Sequence, residues 1–213
     1  MQLSRWLVTI ALLATAAALS GCLPRAIYQS PKVLSKGEYN VGAGLAGHTF
    51  VPGGGDLMYT GSAFFRTGTG EFSDYGVALH FTPGRCATVA GDYRRPLVTG
   101  PFLVTGRVGA SLACWWDEAG APWVQVALEP GVLLGSDRVW GILSCPLNWR
   151  PSTAYVPAPS PFVGLGARIG NRLQLLPELG CNLALSQPEG SLIGCILGLG
   201  IQYGSGVAQH SHD

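Results

Sequence analysis

The sequence predicts an all-β fold, an up-and-down antiparallel β-barrel of about ten strands, and three observations carry that reading. Apolar and polar residues alternate in segment after segment, which gives an extended strand two unlike faces. Helical periodicity is weak, and no segment after the first 21 residues holds 18 continuous apolar residues. The 31 glycines fall inside the alternating segments and at turns, as curved sheets with closely approaching backbones require. Composition agrees: 47% of the residues are hydrophobic and 12% are charged, about half the charged share of a soluble globular protein. Much of this surface is therefore not built to meet water. A chain of 213 residues fits one such domain.

The first element is a targeting segment. "MQLSRWLVTIALLATAAALSGC" has a short start carrying Arg5, an apolar stretch from Trp6 to Leu19, and small residues before a cysteine. Residues 1–21 read as a secretory signal peptide that maturation removes. The motif "LSGC", Leu19 to Cys22, resembles the bacterial lipobox. That resemblance implies cleavage before Cys22 and acylation of its thiol and new amino group. Several acyl chains on one residue anchor stably where a single chain is marginal. Leu23 stands where lipoproteins retained in the inner membrane commonly carry an aspartate, so the resemblance also implies outer-membrane sorting. Residues 22–37 then read as a lipidated linker without a fold of its own, interrupted by Pro24 and Pro31 and holding the chain's two lysines, Lys32 and Lys36.

Residues 38–204 carry the barrel. Alternating segments occur at about 38–48, 56–66, 73–82, 86–94, 101–116, 121–135, 138–148, 160–170, 172–186 and 190–203, a count that lies between eight and twelve once boundaries drift by about two to four residues. "YGVALHF" opposes Tyr75, Val77, Leu79 and Phe81 to Gly76, Ala78 and His80, and "ATVAGDYR" opposes Ala87, Val89 and Tyr93 to Thr88, Asp92 and Arg94. Minimal turns around "SD" and "GNR" alternate with the long "WRPSTAYVPAPS". Outer-membrane barrels place short turns on the periplasmic side and long loops outside, so an even strand count puts both barrel ends, and an acylated Cys22, at the periplasmic face. Residues 205–213 read as a disordered tail.

In "LVTGRVGASLACWW" Arg107 lies opposite the face formed by Val104, Val108, Ala110 and Leu112. A hairpin centred on Glu118 sets Arg107 across from Glu129 and Ser111 across from Gln125. Arg168, Gln174 and Glu178 occupy the polar face of the later hairpin, with Asn182 and Ser186. The aliphatic faces of these segments hold no charge. A basic residue at the lipid midplane costs about 2–4 kcal/mol in such barrels, so the aliphatic faces point outward. Arg107, Gln125, Glu129, Arg168, Gln174 and Glu178 then form a polar network inside, where buried charges persist only when paired.

Cys86, Cys114, Cys145, Cys181 and Cys195 remain beyond Cys22. A hairpin centred on Pro188 brings Cys181 opposite Cys195, a pair that a disulfide can bridge. Trp115, Trp116, Trp123 and Trp149 fall at segment ends, where an interfacial aromatic girdle belongs. "LIGCILGLGIQY" resembles the closing strand of outer-membrane barrels, with an aromatic residue, Tyr203, at its end, though ten residues follow it.

Function is less legible. Without Arg5 the 13 basic side chains become 12, against 12 acidic ones, so nothing marks a nucleic-acid partner. No cofactor or metal motif is present, and His210 and His212 belong to the tail. A barrel of about ten strands leaves no wide pore. The expected product is an outer-membrane barrel lipoprotein with a structural or binding role, meeting outer-membrane lipid along its wall and an envelope or extracellular protein through Trp149 to Pro161. Two rivals belong to other classes: a lipid-tethered periplasmic barrel holding an apolar ligand, and a hydrolase working at the rim with His48, Asp56 and His80. Neither rival supplies a motif, and no catalytic residue is assigned.

Overall fold

The computed structural model describes residues 27–51, 57–116, 120–149, 158–184 and 192–205. Alternation translates into ten strands: β1 Tyr39–Val51, β2 Met58–Gly70, β3 Ser73–Thr82, β4 Cys86–Val98, β5 Leu103–Trp116, β6 Pro122–Gly135, β7 Val139–Ser144 continued by Leu147–Trp149, β8 Ala158–Pro159 continued by Phe162–Ala167, β9 Leu173–Ala184 and β10 Leu192–Gly204. The two pieces of β7 keep one register on β6, with Gly131 opposite Ser144 and Val126 opposite Trp149. The pieces of β8 keep one register on β7. Each interruption falls at a proline, Pro146 or Pro161, which has no N–H to give to the ladder. The neighbours close the gap, since Cys145 N donates to Pro130 O at 3.0 Å and Ser160 N to Pro146 O at 2.8 Å.

Every strand pairs antiparallel with its sequence neighbours, and β1 pairs with β10, so the sheet closes on itself. No helix occurs among the described residues. Closure removes the unpaired edges an open sheet would expose. Tight turns separate β2 from β3 and β6 from β7, where Ser136 N bonds Val139 O at 2.9 Å. Gly84 (φ 67°) and Gly170 (φ 98°) supply the left-handed backbone their turns need.

Cross-strand registers fix the tilt. Starting at Leu103 on β5, successive partners run through Gly135, Trp140, Gly166, Glu178, Gly198, Ala46 and Thr60. Thr60 Oγ1 meets Thr82 Oγ1 at 2.7 Å, and Thr82 pairs with Cys86, which pairs with Trp115. The path returns to β5 twelve residues nearer the opposite end. Ten strands with that stagger lean about 40° from the barrel axis.

The faces sort as alternation requires. Val108, Leu128 and Ile169 are 47%, 49% and 60% exposed, while Glu178 is 3% exposed. One charge departs from the expected neutral wall. Strand β4 runs past residue 94 to Val98, with a register shift between Pro96 and Val98, and Arg95 opposite Gly106 faces outward.

Pairing on β5 and β6 also differs from the expected register. Arg107 lies opposite Gly131, Glu129 opposite Gly109, Gln125 opposite Ala113 and Ser111 opposite Ala127. The hairpin is centred one residue later than Glu118, which slides the partners by two. A shift of two keeps every side chain on its face, so the inward set survives while the direct pairs do not.

Candidate functional site in the barrel lumen

The lumen is divided. Strands β2 to β6 carry most of its charged groups, whereas β6 to β10 contribute Leu133, Trp140, Ile142, Phe162, Leu176 and Ile196 and β1 contributes Ala46, with Gln174, Glu178 and Gln202 as polar members on that side. Trp140 and Phe162 are accommodated by small neighbours: a Cβ on Gly166 would run into the Trp140 indole, and one on Gly180 into the Phe162 ring.

On the polar side one ion-pair chain links five strands, β2 to β6. Arg66 pairs with Asp74 and with Asp92. Arg94 also holds Asp74, through Nε at 2.9 Å and Nη2 at 2.6 Å. Arg107 links Asp92 (3.2 Å) to Glu129 (3.1 Å), and Ser111 Oγ donates to Glu129 at 2.6 Å. Arg107 and Glu129 therefore meet diagonally rather than face to face. Long side chains reach such diagonal neighbours across an antiparallel pair.

The remaining expected network members separate into local groups. Gln125 donates to Asn148 at 2.9 Å toward the far end of the barrel. Gln202 donates to Gln174 (3.1 Å) and Gln174 to Asn171 O (2.7 Å). Arg168 does not join Glu178. It follows β8, donates its backbone N–H to Arg138 O at 2.8 Å and pairs with Asp137 of the β6–β7 turn. The reason is register: Glu178 faces Gly166, two residues before Arg168.

Glu178 instead receives the N-terminal segment. Ile27 N and Tyr28 N both donate to its carboxylate at 2.8 Å. The chain that the sequence presents as a linker runs through the lumen over residues 27–34, and residues 35–37 emerge exposed. Gln29 donates to Asp92 at 2.7 Å and Leu34 N to Asp74 at 2.9 Å. Arg94 donates to Ser30 O (2.5 Å) and Lys32 O (3.2 Å), and Thr105 to Pro31 O (2.5 Å). The Tyr28 ring lies over Gly44 and Gly200, where a Cβ would overlap it, and stacks on Phe64 at 5.9 Å between centroids. The wall's charges thus satisfy the backbone of a segment that has almost no ladder of its own, as buried polar groups require.

Arg66, Asp74, Asp92 and Arg94 are the functional residues that sequence reasoning missed. Asp92 and Arg94 already stood on the polar side of their segment. A second signal was the apolar content of the supposed linker, since Ile27, Tyr28 and Leu34 have no reason to sit in water. His48 is buried on the inner face, and His80 Nδ1 lies 2.8 Å from Ser62 Oγ within the barrel. Asp56 lies outside the described residues, as do Cys22, Ser186, residues 150–157 and the tail histidines.

Above Ile27 a cavity of about 90 Å³ remains, bordered by Thr60, His80, Ser111 and Gln125 and by the apolar Trp115 and Phe162. Pockets for drug-sized ligands run to about 300–1,000 Å³, so this space takes a few waters. At the end of the barrel opposite the barrel termini, Trp115 and Trp123 stack in parallel at 5.3 Å. They share the inner face with Ser111 and Gln125, and Trp149 is exposed on the outer wall. Cys181 and Cys195 are direct partners with free thiols whose sulfurs lie 3.2 Å apart.

No protein-family model matches the chain, and no curated protein sequence matches it. Solved structures do. Neisserial surface protein A is 10% identical, with 79% of this chain and 99% of that chain covered and a TM-score of 0.40. The translocator domain of the autotransporter NalP from Neisseria meningitidis is 12% identical over 78% and 87%, with a TM-score of 0.40. The transport unit of the autotransporter AIDA-I from Escherichia coli is 11% identical over 90% and 96%, with a TM-score of 0.41.

Proposed function

We propose that the chain is an outer-membrane barrel lipoprotein, anchored through acylated Cys22, with a structural or binding role and a closed interior. The observation that carries the reading is the pairing of an aliphatic outer wall with a lumen filled by residues 27–34. A barrel immersed in lipid needs its apolar side chains outside and its charges enclosed. A conduit needs the opposite of a lumen threaded by its own chain. Binding work then falls to the outer end, where the connection from Trp149 to Pro161 offers a surface to an envelope or extracellular protein.

The rival apolar-ligand carrier would need a cavity large enough for its ligand, and the roughly 90 Å³ that remains, bordered by Trp115 and Phe162 as well as by hydroxyl, amide and imidazole groups, is too small for one. The test is membrane fractionation of a Cys22→Ala variant. Retention after carbonate extraction, together with heat-modifiable gel mobility, is the result expected of a spanning barrel. Release into the soluble fraction would contradict spanning and favour a tethered protein. Loss of a palmitate label on the same substitution tests the anchor separately.

A further inference from the structure

The outer wall carries a groove that the filled lumen leaves unused. Arg95, Gly106, Val132, Leu143 and Val163 are successive cross-strand partners from β4 to β8. Beside that row run Tyr93, Val108 and Pro130, then Cys145, whose N–H bonds Pro130 O. Between the two rows lies a concavity of about 660 Å³, open along its length and walled by apolar atoms. Its cause is local. Gly106 projects no side chain, Pro130 projects a short one, and β7 and β8 are both broken at this level.

Arg95 marks one end. It is exposed, has no ion pair among the described residues, and is the one charged side chain those residues place on the outward face of the strands. It stands three positions before Val98, at the end of β4 that carries the short turns and both barrel termini. A cation is tolerated on a lipid-facing wall near the interface and not at the midplane. The registers climb away from that end in the order β4 to β8, so the groove begins at headgroup level and rises into hydrocarbon. Four interstrand steps make it about 19 Å long, within reach of one extended acyl chain.

We infer that this groove seats one acyl chain of an anionic phospholipid of the periplasmic leaflet, with the lipid phosphate on the Arg95 guanidinium. Charge selects the occupant, because a lone cation at the mouth of an apolar trough matches a ligand with one anionic end and one hydrocarbon end. Tyr93 flanks the mouth with an amphipathic ring suited to the interface. The inference rests on the membrane-spanning reading.

Native mass spectrometry of the full-length protein in mild detergent, titrated with phosphatidylglycerol and phosphatidylcholine of equal chain length, tests it. One phosphatidylglycerol should be retained in preference to phosphatidylcholine. Arg95→Gln should weaken its retention about fivefold, the worth of one cation near a headgroup surface. Gly106→Leu, whose Cβ would have the flexible Leu97 side chain as its nearest neighbour at 3.4 Å, should fill the trough and reduce retention of both lipids while Arg95 stays. Equal retention of the two lipids, or retention indifferent to both substitutions, overturns the inference. So does a Cys145-to-Cys145 disulfide dimer formed in membranes, because a second copy would then cover the groove. Failure here with carbonate-resistant Cys22→Ala protein sinks the lipid site alone; release of that variant sinks the spanning reading first.

Discussion

Asp74 takes hydrogen bonds from Arg66, from two nitrogens of Arg94 and from the backbone of Leu34, with its side chain wholly enclosed. A buried carboxylate holding two guanidinium groups is worth more for what its removal strands than for its own attraction. Asp74→Ala should therefore destabilise the barrel by about 3–5 kcal/mol, read as a lower urea midpoint for loss of heat-modifiable mobility. Arg85→Ala, on an exposed turn, should move that midpoint by under about 0.5 kcal/mol. An unchanged midpoint for Asp74→Ala would remove the ion-pair chain as a structural feature. Cys181 and Cys195 give a second residue-scale expectation. Direct partners with sulfurs 3.2 Å apart need a small approach to reach the 2.0 Å of a disulfide. Mild oxidation should join them within one chain, detected as a linked peptide pair in a non-reducing digest; intermolecular linkage alone would contradict the register. That pairing was readable in the sequence because one hairpin centre decides it. The partners of Arg107 were not, because the register of β5 on β6 is centred one residue past Glu118 and nothing in the local sequence distinguishes the two centres.

The N-terminal segment shows what an element without secondary structure can do inside a barrel. Residues 27–34 give the wall their N–H and C=O groups in place of a ladder, and Tyr28 keys into the hollow left by Gly44 and Gly200. Gly200→Val would put a branched side chain into the Tyr28 ring, an overpacking that costs about 1–3 kcal/mol, and should loosen the segment. In planar bilayers the intact protein should hold no steady conductance, whereas deletion of residues 27–34 should open one. Equal currents from both would contradict a lumen closed by this segment. Sequence alone hid the element for a physical reason. Prolines and lysines resemble those of a solvated linker, and the partners that order the segment are contributed by strands between about 40 and 150 positions away. Strands, by contrast, advertise themselves locally through alternation. Even β7 and β8 were readable, although Pro146 and Pro161 interrupt them, because their registers continue across each break.

At the scale of the molecule, the all-β closed barrel follows from the sparse charge and the two-faced strands, and the ten strands lie close to the segments that alternation marks. The polarity of the faces was equally legible, with one exception. Arg95 escaped because its segment was read as ending at residue 94, and it turns out to be the charge that gives the outer wall a chemical address. The inner face was less legible than the outer. Trp140, Ile142 and Phe162 lie inside, so apolar side chains occupy both faces of β7 and β8 and period two weakens there. Everything functional in this account depends on which side of the wall meets hydrocarbon. Spin labels at Leu79, Leu165 and Leu197, placed one at a time in a cysteine-free background in bilayers, measure that most directly through collision with oxygen and with a water-soluble nickel complex. High oxygen and low nickel accessibility at all three, with the reverse at an exposed turn such as Arg85, is the predicted result; nickel accessibility at the three leucines equal to that at Arg85 would contradict it.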